Sequence, residues 1–140
     1  MPEIRPPAMD DFQQPPGTWY GPDWEVDPDG AAYTLRIPDG DGDWMPHAPS
    51  YEMAVRVLPE LEWLKEKGIE YLGGKVDLDR AGYRGTVEIV DVHCDQRRQR
   101  ITVEMEWESQ LYGAWTVVFS WRDLSERNSC WPVGLSFRTR

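Results

Sequence analysis

This chain is poor in the residues that most often do chemistry. It has two cysteines, Cys94 and Cys130, and two histidines, His47 and His93, in 140 residues. Two cysteines make no disulfide framework, and a reducing cytoplasm is the simplest home for them. A tetrahedral zinc site needs four ligands at tight spacing, and neither C-x-x-C nor H-E-x-x-H occurs. Neighbours on a strand point to opposite faces, so His93 and Cys94 do not form a nucleophile–base pair; they are expected as a strand-edge histidine beside a buried thiol. The sequence also lacks a glycine-rich phosphate loop, a nucleophile elbow and a dinucleotide fingerprint. No apolar run approaches the roughly 18 residues of a membrane span, and residues 1–17 carry no basic-then-apolar leader. No cofactor, metal or catalytic residue is assigned on this basis.

Basic charge is scarce too, and unevenly so. The first fifty residues hold ten acids (Glu3, Asp10, Asp11, Asp23, Glu25, Asp27, Asp29, Asp39, Asp41, Asp43) against Arg5 and Arg36, which is −8 of the chain's net −10. Such a field repels nucleic acid and anionic lipid and attracts cationic protein surfaces. Tryptophan, by contrast, is abundant: eight residues supply enough large apolar surface for a single domain of this length to build a core.

Prolines at 2, 6, 7, 15 and 16 predict an extended or mobile arm over residues 1–17, ahead of one domain over residues 18–140. Thr18-Trp19-Tyr20 and Trp24-Glu25-Val26 read as short extended pieces. Tyr33, Leu35 and Ile37 alternate with Thr34 and Arg36 in a half-buried strand. A helix follows, with Ser50 expected at its N-cap, Met53, Val57, Leu58, Leu61 and Leu64 on one side, Gly68 as its end, and a kink or restart at Pro59. Beyond it, residues 69–72 and 75–78 around Gly73-Gly74 read as a hairpin. Runs at 86–93, 99–108, 111–121 and 133–137 read as further strands. The expected fold is α+β, one helix on one face of a curved antiparallel sheet of five to six strands.

Two strands have legible faces. Ile101, Val103, Met105 and Trp107 share one side of residues 99–108, leaving Thr102, Glu104, Glu106 and Glu108 on the other. Three glutamates in a row require water, a cationic strand such as one bearing Arg84, Arg97, Arg98 or Arg100, or a basic partner. Trp115, Val117, Phe119 and Trp121 line a second face. With Trp107 they are either core or the wall of an aromatic pocket. Asp39-Gly40-Asp41-Gly42-Asp43 opens like a calcium loop, but Trp44 stands where that motif needs glycine and Ser50 where it needs a bidentate glutamate. Three aspartates followed by Trp44 suit capture of a cationic protein surface instead. Trp63 falls off the helix's apolar stripe, beside Glu52 and Arg56, as a surface for the arm or a strand to cover or as an interface anchor.

The reading that absorbs these features is a small acidic binding protein that neutralises a basic protein partner. An immunity protein or a phage-type inhibitor of a nuclease or defence complex works this way, and a nucleic-acid mimic is its special case. Its expected contact residues are Asp39, Asp41, Asp43, Trp44, Glu104, Glu106, Glu108 and Trp63. Direct binding to nucleic acid or membrane is not expected. Two other readings compete: a ligand-binding or enzymatic domain with a pocket around Trp107, Trp115 and Trp121, and an accessory subunit docked through the arm.

Overall fold

The computed structural model describes residues 5–14, 23–40 and 45–139. Six strands form one open sheet whose order follows the sequence: β1 (Trp24–Val26), β2 (Thr34–Ile37), β3 (Val87–Asp95), β4 (Arg100–Trp107), β5 (Gln110–Trp121) and β6 (Cys130–Thr139). Thr18-Trp19-Tyr20 lies outside the described residues. Every neighbouring pair is antiparallel except β2 and β3, which run parallel with Leu35 beside Val92. That exception corrects the all-antiparallel expectation. A parallel pair needs a crossover that returns the chain to the starting end of the sheet, and the helix supplies it.

The helix runs as α1 (Ala48–Val57), a 3-10 turn at Leu58–Glu60 and α2 (Leu61–Gly73). Pro59 has no amide hydrogen to give, so the α-type ladder pauses there and restarts, as its position in the sequence implies. Three local expectations fail. His47, not Ser50, is the N-cap residue; Pro49 sits in the first turn, where a missing N–H costs nothing. Ser50 is fully buried instead. Its hydroxyl accepts the Gln96 amide at 3.0 Å and meets His47 Nδ1 at 2.7 Å, tying the helix start to the β3–β4 turn.

Gly68 does not end the helix, and Gly73-Gly74 does not turn a hairpin. The buried positions Leu61, Leu64, Gly68 and Leu72 continue the three-and-four spacing through residues 69–72, so burial along one face outweighs the turn signal. The two glycines close the helix: the amides of Lys75 and Val76 both donate to the Leu72 carbonyl, at 2.9 and 2.8 Å. Gly68 is needed for approach, because a Cβ there would lie 3.0 Å from Met105 Cε and 3.5 Å from Val117 Cγ2.

The core lies between this helix and one face of the sheet. Met53, Ala54, Val57, Leu61, Leu64 and Leu72 meet Leu35, Ile37, Val92, Cys94, Ile101, Val103, Met105, Val117, Phe119 and Trp121. The alternation predicted for Ile101, Val103 and Met105 and for Trp115, Val117, Phe119 and Trp121 is found, with these side chains on the helix side of the sheet. The described part of the proline-rich segment lies on this body. Phe12 is buried edge-on to Tyr51, with ring centroids 5.9 Å apart, and the Tyr51 hydroxyl donates to the Pro7 carbonyl. No helix of the described residues is long and apolar enough to cross a membrane.

Candidate interaction surfaces

The charge asymmetry of the sequence becomes an asymmetry in space. Gln13 and Glu25 exchange both backbone hydrogen bonds, at 2.9 and 2.8 Å, which lays the N-terminal segment along β1. Asp10 and Asp11 thereby join Asp23, Glu25, Asp27, Asp29 and Asp39 at one edge of the sheet, with Asp10, Asp11, Asp27 and Asp29 exposed. Arg36, His93 and Arg97, near this edge, are engaged internally. Arg36 bridges Glu25 at 2.6 Å and Asp91 at 2.7 Å. Burial works against its charge, but the hydrogen bond and charge of Asp91, helped by Glu25 and Asp23, hold its guanidinium above the ordinary value. His93 Nε2 lies 3.2 Å from Asp23, and Arg97 donates to the Asp39 carbonyl.

The predicted contact residues do not gather into one site. Asp39 accepts the Trp24 indole N–H at 2.6 Å and its backbone bridges to Pro46, so it holds the loop's base. Asp41, Asp43 and Trp44 lie outside the described residues. Glu104 was expected on a solvated face and is instead 8% exposed, gripped by Arg138 of β6. The physical reason lies in the register. Glu104 stands opposite Asp91 and Glu106 opposite Glu88, and like charges directly opposite are unfavourable. Arg36 reaches Asp91 from one side and Arg138 reaches Glu104 from the other. Glu106 is half-buried, a register shift between Met105 and Trp107 interrupts the strand, and Glu108 sits exposed in the turn beyond. The three glutamates are therefore not a continuous stripe.

Trp63 is half-buried. It packs on Trp121 with ring centroids 5.6 Å apart, and the Arg127 guanidinium lies 4.9 Å from its ring while also pairing with Glu60. The tryptophans proposed for a pocket do not converge on one. Trp107 and Trp121 are buried and border two separate hollows, of about 760 and 320 Å³. Trp115 is packed between Tyr83 and Phe137.

Cys94 and Cys130 are free thiols, and no group of three or more metal-binding side chains is assembled among the described residues. Burial pushes both thiols up to about 12. The unfolded chain would release these protons near the ordinary value of 9.0, so their contribution to stability is complete below that pH and is lost as pH rises toward 12. The partly buried Cys130 contributes less than the fully buried Cys94. Neither thiol should react with a thiol-specific dye at pH 8 until denaturant is added, and the denaturation midpoint should fall above about pH 9. Rapid labelling of the native protein at pH 8 would contradict this.

One surface escaped the sequence reading. Of the large apolar residues exposed among those described, Trp131, Val133 and Phe137 all lie on β6, the last strand of the sheet. Alternation of large residues through 131–137 was the available signal, but nothing in it says that the strand is an edge. In comparisons with known proteins the chain matches no family model, no curated protein and no solved structure.

Proposed function

We propose that this is a small acidic binding protein that docks and neutralises a basic protein partner, as an immunity protein does a toxin or a phage inhibitor a defence nuclease. The observation that carries the reading is the β1 edge. Seven acids converge there, four of them exposed, while Arg36 and His93 are engaged with carboxylates of the protein itself. An acidic edge of this kind speeds association with a cationic surface and selects against anionic ones. The contact set shifts accordingly toward Asp10, Asp27 and Asp29, because Glu104 and Asp39 are held within the fold. A basic surface docking there would displace water from these carboxylates without having to break the Arg36 bridges.

The test is capture from the host lysate on the tagged protein and on its Asp10→Asn/Asp27→Asn/Asp29→Asn variant, washed with rising salt. The expected result is a basic protein held by the parent, eluted by salt, and absent from the variant. Retention of only acidic or neutral proteins, or of the same basic protein by both, would contradict the proposal.

A further inference from the structure

The two edges of the sheet are finished differently. At β1 the strand is three residues long and Gln13 bridges its outer side. Short length and a covering segment are the usual ways a protein blunts an edge. At the other end β6 runs ten residues, and among the described residues no strand lies beyond it. Its first half is protected: Pro132 lacks an amide hydrogen, and a register shift falls between Val118 and Phe119, across from residues 132–134. Its second half, residues 134–139, has no such device. That half carries Leu135 and Phe137 on the helix side of the sheet, opposite Val117 and Trp115. Phe137 is 45% exposed although it packs on Trp115 at 5.0 Å and lies so close over Gly113 that a Cβ there would fall 2.3 Å from the ring.

We infer that residues 134–138 of β6 pair antiparallel with the same residues of a second copy, around a two-fold axis at Ser136, joining two sheets into one of twelve strands. Self-pairing in this register is complementary. Leu135 stands opposite Phe137 of the second copy and Phe137 opposite its Leu135, so an apolar seam forms on the helix side. On the other face Ser136 meets Ser136 and Arg138 lies beside Gly134, so the two arginines are not opposed. Charge does not forbid the association despite the net −10. No acid occurs from residue 127 to 139, and Arg127 and Arg138 are already paired with Glu60 and Glu104, which leaves the seam close to neutral. The acidic β1 edges would stand at the two far ends of the joined sheet. With strands about 4.8 Å apart they are roughly 50 Å from each other, several screening lengths of about 8 Å at physiological salt.

An alternative occupant, an extended strand from an unrelated protein, would use the same main-chain groups. The self-complementary register and the neutral seam favour the second copy. A seam of one strand from each copy is at the small end for a specific interface, so the dimer is expected to be reversible rather than permanent. This inference concerns the edge opposite the one proposed for the basic partner, so either can fail without the other.

Sedimentation equilibrium of the full chain over a concentration series tests it. The parent should move from the mass of one chain toward twice that mass, and Phe137→Lys should remain at one chain at every concentration. In a Cys130→Ser background, Ser136→Cys should give a covalent dimer with a short thiol-specific cross-linker, since opposed residues bring these thiols together. A parent that stays monomeric throughout would overturn the proposal. So would a dimer that survives Phe137→Lys and gives no Ser136→Cys cross-link. Should Phe137→Lys fail to fold, the cross-link alone decides: its formation supports the pairing and its absence overturns it.

Discussion

Replacing Trp121 with alanine should cost about 4 kcal/mol, the largest loss expected of any truncation to alanine in this chain. Trp121 is 2% exposed and is among the largest fully buried side chains. It stands where three parts of the fold meet: the end of β5, the ring of Trp63 on α2, and the β5–β6 connection. Its indole N–H donates to the carbonyls of Asp123 at 2.8 Å and Glu126 at 3.1 Å, and so shapes that connection. Truncation leaves a large cavity, uncovers Trp63 and leaves those carbonyls to other donors. For a domain of this length a loss of that size lowers the melting temperature by roughly 12 °C. Trp121→Phe separates the contributions: it keeps most of the buried ring and removes the donor, and should lose about 2 kcal/mol. Denaturant titration followed by tryptophan fluorescence and far-UV circular dichroism measures both. If Trp121→Ala lost less than about 1 kcal/mol, the assigned core would be wrong.

Gly68→Leu should be comparably damaging, with a loss of about 3 kcal/mol. Helix α2 lies so close to β4 and β5 at this point that a Cβ alone would touch Met105 Cε at 3.0 Å. A leucine side chain has nowhere to go unless α2 lifts off the sheet, and lifting it loosens Leu64 and Leu72, both fully buried. Gly68→Ala separates approach from backbone effects. Alanine gains roughly 1 kcal/mol of helix propensity over glycine, and the flexible Met105 side chain can give by a few tenths of an ångström, so the two effects nearly cancel and stability should change little. Were Gly68 a helix terminus, as its place after Lys67 first implies, leucine there would be tolerated. The pair of variants therefore distinguishes a continuous α2 from a helix followed by a hairpin.

That contrast shows what the sequence can reveal and where it misleads. The strand faces at Ile101–Val103–Met105 and Val117–Phe119–Trp121 were readable because burial on one side of a strand leaves a period of two in the residues themselves. Pro59 likewise announced a break through its own covalent chemistry. Gly73-Gly74 misled because two glycines close a helix as well as they turn a hairpin, and only the buried Leu72 between the alternatives decides it. The parallel pairing of β2 with β3 leaves no local mark, since it depends on where a 26-residue helical crossover delivers the chain. Glu104 was misplaced for a similar reason: the cation that lets it be buried, Arg138, lies 34 residues away in sequence. The acidic excess was legible, but its gathering on one edge depends on the Gln13–Glu25 bridge, which no spacing foretells. The exposed residues of β6 could be read as a strand, yet its lack of a neighbour belongs to the sheet order alone.

If the β1 edge recognises a cationic protein, it does so through charge. The most direct test is a titration of the captured basic protein against the parent and the Asp10→Asn/Asp27→Asn/Asp29→Asn variant at several salt concentrations. Exposed charge pairs contribute up to about 1 kcal/mol each at low salt, so the variant should bind on the order of tenfold or more weakly there and show a shallower dependence of log Kd on log salt. The difference should fade as screening grows. Equal affinity and equal salt dependence for the two proteins would show that the β1 edge is not the binding surface.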